Sequence, residues 1–374
     1  MTVTGPLLFT PGPLCTSTLT KQAMSVDLGS RSPHFIQLVR SIRSRLLAGA
    51  EGAHEHECVL MQGSGTFGIE AVLSTFVPRA GAKVLVMVNG AYGERQVLMC
   101  KAMDIPCDVL RSPDNEPLRL EHLQQHLAAS STSPYYLVSM VHVETTAGVV
   151  NDVHAMGAWL REHCPGVKVM VDSMSAYGAY ALDLRYFDYV VSSANKCLEG
   201  VPGFSFVLVR RALLDAVPQG QARSVALDLV AQWRGLEKDG QFRFTPPTHA
   251  LLAFNQALSE WEGEGGVEGR RARYLVNTQV LVQGLTALGF KLYVQDPGAR
   301  SHVITSFLQP QGKGWSFDCF YTALCDRGFV IYPGKVGQAE TFRIGSIGRL
   351  GVRDCKALVK VVGEVLREQG VELS

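Results

Sequence analysis

Asp172 and Lys196 each stand just after an apolar run, Asp172 behind Val167 to Val171 and Lys196 behind Asp188 to Ser192. In an α/β sheet these are strand ends, where side chains meet ligands. Glycine and proline in Lys196-Cys197-Leu198-Glu199-Gly200-Val201-Pro202-Gly203 fix a loop, and the small residues ahead of Lys196 leave room beside its amine. A lysine held away from water has a lowered pKa and becomes a Schiff-base nucleophile. Standing alone, the pair reads more simply as a solvated cation and a helix cap. Gly63-Ser64-Gly65-Thr66-Phe67-Gly68 adds a third feature, a G-x-G-x-x-G string between the run Val59 to Met61 and the helical pattern Ile69 to Val77. A dinucleotide site needs an acidic residue about 20 positions on to hold a ribose hydroxyl, but the next strand ends in Asn89-Gly90. The alternatives are a ligand-free turn or an anion cradle, in which the N–H groups of Ser64 to Thr66 and two hydroxyls meet a phosphate at a helix N-terminus. Amine, carboxylate and phosphate cradle together suggest pyridoxal 5'-phosphate.

The elements that would position these residues are strands. Lys83 to Val88, Tyr135 to Val143, Val167 to Val171, Asp188 to Ser192 and Phe204 to Val209 alternate with helical patterns, which reads as α/β. Nearly continuous apolar runs predict parallel strands covered on both faces. A composition change at 262–269 predicts a second domain. The expected division is an N-terminal arm at 1–20 returning to the small domain, a large domain at 21–259 and a small α+β domain at 260–374. In the latter, Arg270 to Leu288 reads as a helix and Val303 to Phe307, Phe329 to Tyr332 and Phe342 to Ile344 as strands.

Composition narrows the partners. The chain has 374 residues, 47% hydrophobic, with 35 Lys+Arg against 34 Asp+Glu. Near-zero net charge provides no long-range field for nucleic acid or an anionic membrane, so the expected partner is a small molecule. Nine scattered cysteines without a C-x-x-C pair fit neither a disulfide framework nor a zinc ribbon. With no signal-peptide core or membrane-length apolar run, the expected location is cytoplasmic. His54-Glu55-His56-Glu57-Cys58 and the His122/His126 pair read as solvent-facing residues rather than metal ligands, and no metal is expected. Cys197 reads as a buried structural thiol, and Arg270-Arg271-Ala272-Arg273 as a solvated basic face.

A set of motifs in order along nearly the whole chain carries a resemblance. Thr10-Pro11-Gly12-Pro13, Gln62 to Thr66, Asn89-Gly90-Ala91-Tyr92-Gly93-Glu94-Arg95, Glu144-Thr145-Thr146-Ala147-Gly148, Val171 to Ser175, Ser193 to Cys197, Phe244 to His249, Ile331 to Lys335 and Phe342 to Ser346 resemble the 2-aminoethylphosphonate:pyruvate aminotransferase family. More distantly the chain is similar to alanine/serine:glyoxylate aminotransferases of the same fold-type I, class V group of pyridoxal phosphate enzymes. The resemblance implies a large domain with a mostly parallel sheet, a smaller domain, and a homodimer with shared sites. It implies that Lys196 carries the cofactor and that Asp172 faces its ring nitrogen. Ser64, Gly65, Thr66 and Asn195 would hold the phosphate, Tyr92 would stack on the ring and Thr145 would stand beside its phenolic oxygen. Thr245 and Thr248 would reach the neighbouring subunit's phosphate, and Arg343 would clamp the substrate anion. The implied reaction converts 2-aminoethylphosphonate and pyruvate to phosphonoacetaldehyde and L-alanine. Arg31, Arg95 and Lys335 are candidates for a second phosphonate-binding cation. An alanine or serine:glyoxylate aminotransferase is the alternative, and a non-catalytic dinucleotide-binding protein the reading from a different class. A desulfurase or lyase would need a mobile-loop cysteine, and no motif surrounds Cys319 or Cys325.

Overall fold

Strands buried on both faces need helices over them, and that requirement organises the larger part of the molecule. The computed structural model describes residues 5–128, 135–311, 314–334, 339–371 and 373. Seven strands form one sheet in the order His56–Gln62, Phe204–Arg210, Tyr189–Ser193, Lys168–Asp172, Leu137–Val141, Val84–Val88, Cys107–Arg111. Phe204–Arg210 is antiparallel to both its neighbours, and the remaining pairings are parallel. Val84–Val88, Leu137–Val141 and Tyr189–Ser193 are buried at every position, as the apolar runs predict. Their side chains join one large apolar core with those of helices Pro33–Ala48, Gly65–Phe76 and Thr248–Gly263.

A second core lies in the C-terminal part. Ile304–Leu308, Thr341–Gly345 and Tyr332–Pro333 form a three-stranded antiparallel sheet. Phe290, Phe307, Phe320 and Phe342 interlock there with residues of helix Val352–Glu368. The N-terminal arm reaches this core: Leu7–Leu8 pairs in parallel with Phe329–Val330, and the Phe9 ring is fully buried in the cluster. Continuing from Phe9, the arm passes over Lys196. Gly12 sits there at φ +100°, and a Cβ on it would lie 2.7 Å from both the Asn195 carbonyl oxygen and Lys196 Cδ, so glycine is required for the approach.

Two expectations are corrected. Arg270 is 0% exposed rather than solvated, because the acidic side chains of Glu199 and Glu264 surround the start of helix Gly266–Ala287. Arg273 pairs with the same two carboxylates, while Arg271 does face solvent. His56, Glu57 and Cys58 do not alternate in a polar segment but lie buried in strand His56–Gln62. His56 Nε2 bonds the Phe187 carbonyl at 3.0 Å, and Glu57 pairs with Arg43 and Arg211. Among the described residues, no helix is long and apolar enough to cross a membrane.

Candidate active site

Two adjacent strands deliver the amine and the acid. Asp172 is the last residue of Lys168–Asp172 and pairs in register with Val191 of Tyr189–Ser193. The chain leaving Ser193 therefore turns beside Asp172 and carries Asn195 and Lys196 into one cleft. Lys196 Nζ donates to the carbonyls of Pro11 at 2.8 Å and Gly12 at 3.1 Å. Burial lowers its pKa to about 8, with Arg343 and Arg95 assisting and Cys197 and Asp172 opposing. The Asp172 carboxyl shifts the other way, pushed up to about 6 by burial despite accepting the Met174 N–H at 3.1 Å and lying near Arg95 and Lys196.

Helix Gly65–Phe76 begins at the same cleft. Its N-cap residue, Ser64, makes no side-chain capping bond, so its hydroxyl and the first amides face the cleft without a partner from the helix itself. Ser64, Gly65 and Thr66 all line it. Tyr92, from the first turn of helix Ala91–Ala102, forms another wall, and the Arg95 guanidinium lies 4.9 Å from the centre of its ring. Of the three candidate second cations, Arg95 lines this cleft, Arg31 does not, and Lys335 falls outside the described residues.

Thr145 and Arg343 are buried and do not line the cleft. Thr145 Oγ1 is buried without a hydrogen-bond partner among the described residues. Its carbonyl accepts Arg343 Nη1 at 2.9 Å, while Nε and Nη2 of Arg343 donate to the Pro333 carbonyl at 3.1 and 2.9 Å. Three of the five guanidinium N–H donors are thereby fixed to backbone, leaving one on each terminal nitrogen. Thr245 and Thr248 do not line the cleft; Thr245 is exposed and Thr248 half-buried. Sequence reasoning missed Gln96, Met99, Met174, Ser193 and Glu144. Tyr92, Arg95, Gln96 and Met99 follow the i, i+3, i+4, i+7 face of one helix, so that spacing could have revealed Gln96 and Met99.

A buried amine next to a buried carboxyl, a helix N-terminus with spare donors and an orphaned hydroxyl fit pyridoxal 5'-phosphate, which needs a partner at its aldehyde, ring nitrogen, phosphate and phenolic oxygen. This chain belongs to the class-V aminotransferases, matching the family Aminotransferase class-V over residues 17–323. Among its relatives, the 2-aminoethylphosphonate–pyruvate transaminase of Pseudomonas aeruginosa is 40% identical over 365 residues, covering 97% of this chain and 96% of the relative. The protein of the same name from Pseudomonas putida is 40% identical over 368 residues, 98% of each chain. Solved structures share the fold at lower identity. Alanine–glyoxylate aminotransferase from Nostoc sp. superposes with a TM-score of 0.88 at 23% identity, over 98% of this chain and 97% of that one. Pyridoxamine-pyruvate aminotransferase from Mesorhizobium loti gives 0.88 at 21%, over 100% and 95%.

Proposed function

We propose that this chain transfers the amino group of 2-aminoethylphosphonate to pyruvate, giving phosphonoacetaldehyde and L-alanine, with pyridoxal 5'-phosphate as cofactor. The observation that carries the reading is 40% identity, over nearly the full length of both chains, to relatives named for this reaction. The cleft supports it, since each group the reaction calls for has a residue in or beside it.

Bound in the cleft, the cofactor supplies an aldehyde that exchanges amines and a ring that withdraws electron density from the amine-bearing carbon. Lys196 is the catalytic amine. With its Nζ freed by the donor's amino group, it would serve as the base for the proton on the donor's amine-bearing carbon and then as the acid that gives that proton up. An amine with a pKa of about 8 is partly neutral near neutrality and can act both as base and as acid. Asp172 would hold the proton at the ring nitrogen, and a cation there would favour the carboxylate and offset the burial that raises its pKa. Ser64, Gly65, Thr66 and Asn195 would hold the phosphate, Tyr92 would cover the ring, and the Thr145 hydroxyl would meet the phenolic oxygen. Arg343 binds the donor's phosphonate and then the acceptor's carboxylate through its two remaining N–H groups, its orientation fixed by the Thr145 and Pro333 carbonyls.

The working protein in this reading is a cytoplasmic homodimer. Phe67 is 48% and Phe244 47% exposed, both beside the strand end Gln62-Gly63, and exposed Thr245 adjoins them. Large apolar side chains left open at the rim of a site fit a second copy of the chain, which brings Thr245 and Thr248 to its partner's phosphate.

A donor and acceptor panel tests the substrate. Activity should be highest with 2-aminoethylphosphonate and pyruvate; a kcat/KM larger with L-alanine or L-serine and glyoxylate would overturn the assignment while leaving the chain an aminotransferase.

A further inference from the structure

The first amides of an α-helix have no partner inside it, and a side chain at the N-cap usually supplies one. Helix Ala91–Ala102 has Gly90 at that position, which has no side chain to offer. Its cap comes from another part of the chain. The Ala91 N–H donates to Thr146 Oγ1 at 2.9 Å and the Tyr92 N–H to Glu144 Oε2 at 3.3 Å. The other carboxylate oxygen, Glu144 Oε1, accepts the Thr146 N–H at 3.0 Å and the Thr146 hydroxyl at 2.6 Å, and the Gly93 N–H also faces the carboxylate. Glycine at 90 is part of this device, because a Cβ there would overlap Cγ and Cδ of Glu144. The residue that cannot cap its own helix makes room for a cap that arrives from outside.

Glu144 is 0% exposed. Burial, reinforced by Asp172, raises its carboxyl pKa to about 7, while the bonds from Thr146 and Gly93 lower it. A carboxyl in so costly a place needs a use, and Glu144 does not line the cleft. What it holds does: the capped turn carries Tyr92, Arg95 and Gln96 to the cleft wall. Thr145, between the two capping residues, offers the carbonyl that fixes Arg343.

We propose that Glu144, with Thr146, is a positioning residue that sets the Tyr92 ring against the cofactor by capping helix Ala91–Ala102 from a distant segment. This rests on the reading of Tyr92 as the cover of the cofactor ring. Glu144 touches no reacting atom, and its effect reaches the chemistry through the turn it holds.

The test is a double-mutant cycle read by cofactor affinity, from fluorescence titration of the apo-protein, and by the visible circular dichroism of bound cofactor. Glu144→Gln keeps the shape but loses the charge and turns one acceptor into a donor facing an N–H. It should weaken pyridoxal 5'-phosphate binding about tenfold, the loss of one hydrogen bond to a charged group, and reduce the dichroic band. Thr146→Val should act in the same direction and remains informative if the Glu144→Gln chain misfolds, while Thr146→Ser should match wild type. In a Tyr92→Ala background, Glu144→Gln and Thr146→Val should change affinity by less than about twofold, because Tyr92 is the one residue of the capped turn that this reading sets against the cofactor. Additive losses in that background would overturn the proposal and leave Tyr92's role intact. A Tyr92→Ala chain with wild-type affinity and spectrum would overturn the role of Tyr92 and this proposal with it.

Discussion

An ordinary lysine is almost wholly protonated near neutral pH and cannot attack an aldehyde, whereas Lys196 titrates near 8 because burial penalises its charge. The consequence is a rate that depends on pH in a stated direction. As pH rises through about 8, the neutral fraction of Lys196 increases, so the apo-protein should capture added pyridoxal 5'-phosphate faster and then level off. The groups facing the amine are Asp172 and Cys197, which favour its charge, and Arg343 and Arg95, which oppose it. Stopped-flow absorbance from about pH 6 to about 10 checks this: a midpoint near 8 is expected, and a rate still climbing steeply past about pH 9.5 would mean the amine is solvated. The strand-end places of Lys196 and Asp172 were legible in the sequence because strand ends can be read from apolar runs. Glu144 was not, since a carboxylate that caps a helix some fifty residues away in sequence has no local spacing to betray it. Arg95 could only be put among three candidates until the helix face of Tyr92 placed it in the cleft wall.

At the scale of elements, helix Gly266–Ala287 holds the segment that carries Lys196. Arg270 donates to the Cys197 carbonyl, and Glu199 is met by Arg273 Nη2 and Tyr274 Oη, each at 2.7 Å. Glu199 has φ +57°, a left-handed conformation unusual for a residue with a side chain, and these bonds hold it there. Removing the Glu199 charge leaves Arg270 and Arg273 sharing the single carboxylate of Glu264, at a cost of up to about 3–5 kcal/mol. Glu199→Gln should therefore lower the Tm of the apo-protein by several degrees, measured by calorimetry; an unchanged Tm would mean that Glu264 alone compensates the arginines. The arginines read as a solvated face from sequence because one acidic partner, Glu199, lies more than seventy positions away, and the other, Glu264, precedes the helix at separations of six and nine, off the i, i+4 spacing that marks a pair. Strand existence was legible throughout the large sheet. Strand direction was not: Phe204–Arg210, antiparallel to both its neighbours, is as apolar as the strands that run parallel elsewhere in the sheet, and an apolar run carries no information on which way it points.

For the whole molecule, the arm is the element that joins the C-terminal apolar core to the site. Phe9 is buried in the C-terminal core, the Gly345 N–H donates to its carbonyl at 2.9 Å, and within three residues the chain meets Lys196. Turn residues at Thr10-Pro11-Gly12-Pro13 announced an arm in the sequence, but nothing local indicated that its carbonyls would contact the amine. Thr245 and Thr248 show the converse limit, since one chain folds without bringing them to its own cleft, and the use proposed for them depends on a second copy. The central claim, that one cleft takes an amino group from 2-aminoethylphosphonate and passes it to pyruvate, divides into two half-reactions that can be run separately. Holoprotein mixed with 2-aminoethylphosphonate alone should release one phosphonoacetaldehyde per site and stop, with the cofactor's visible band bleached; pyruvate added next should restore the band and yield one L-alanine per site. A band unchanged by 2-aminoethylphosphonate but bleached by L-alanine or L-serine would contradict the account.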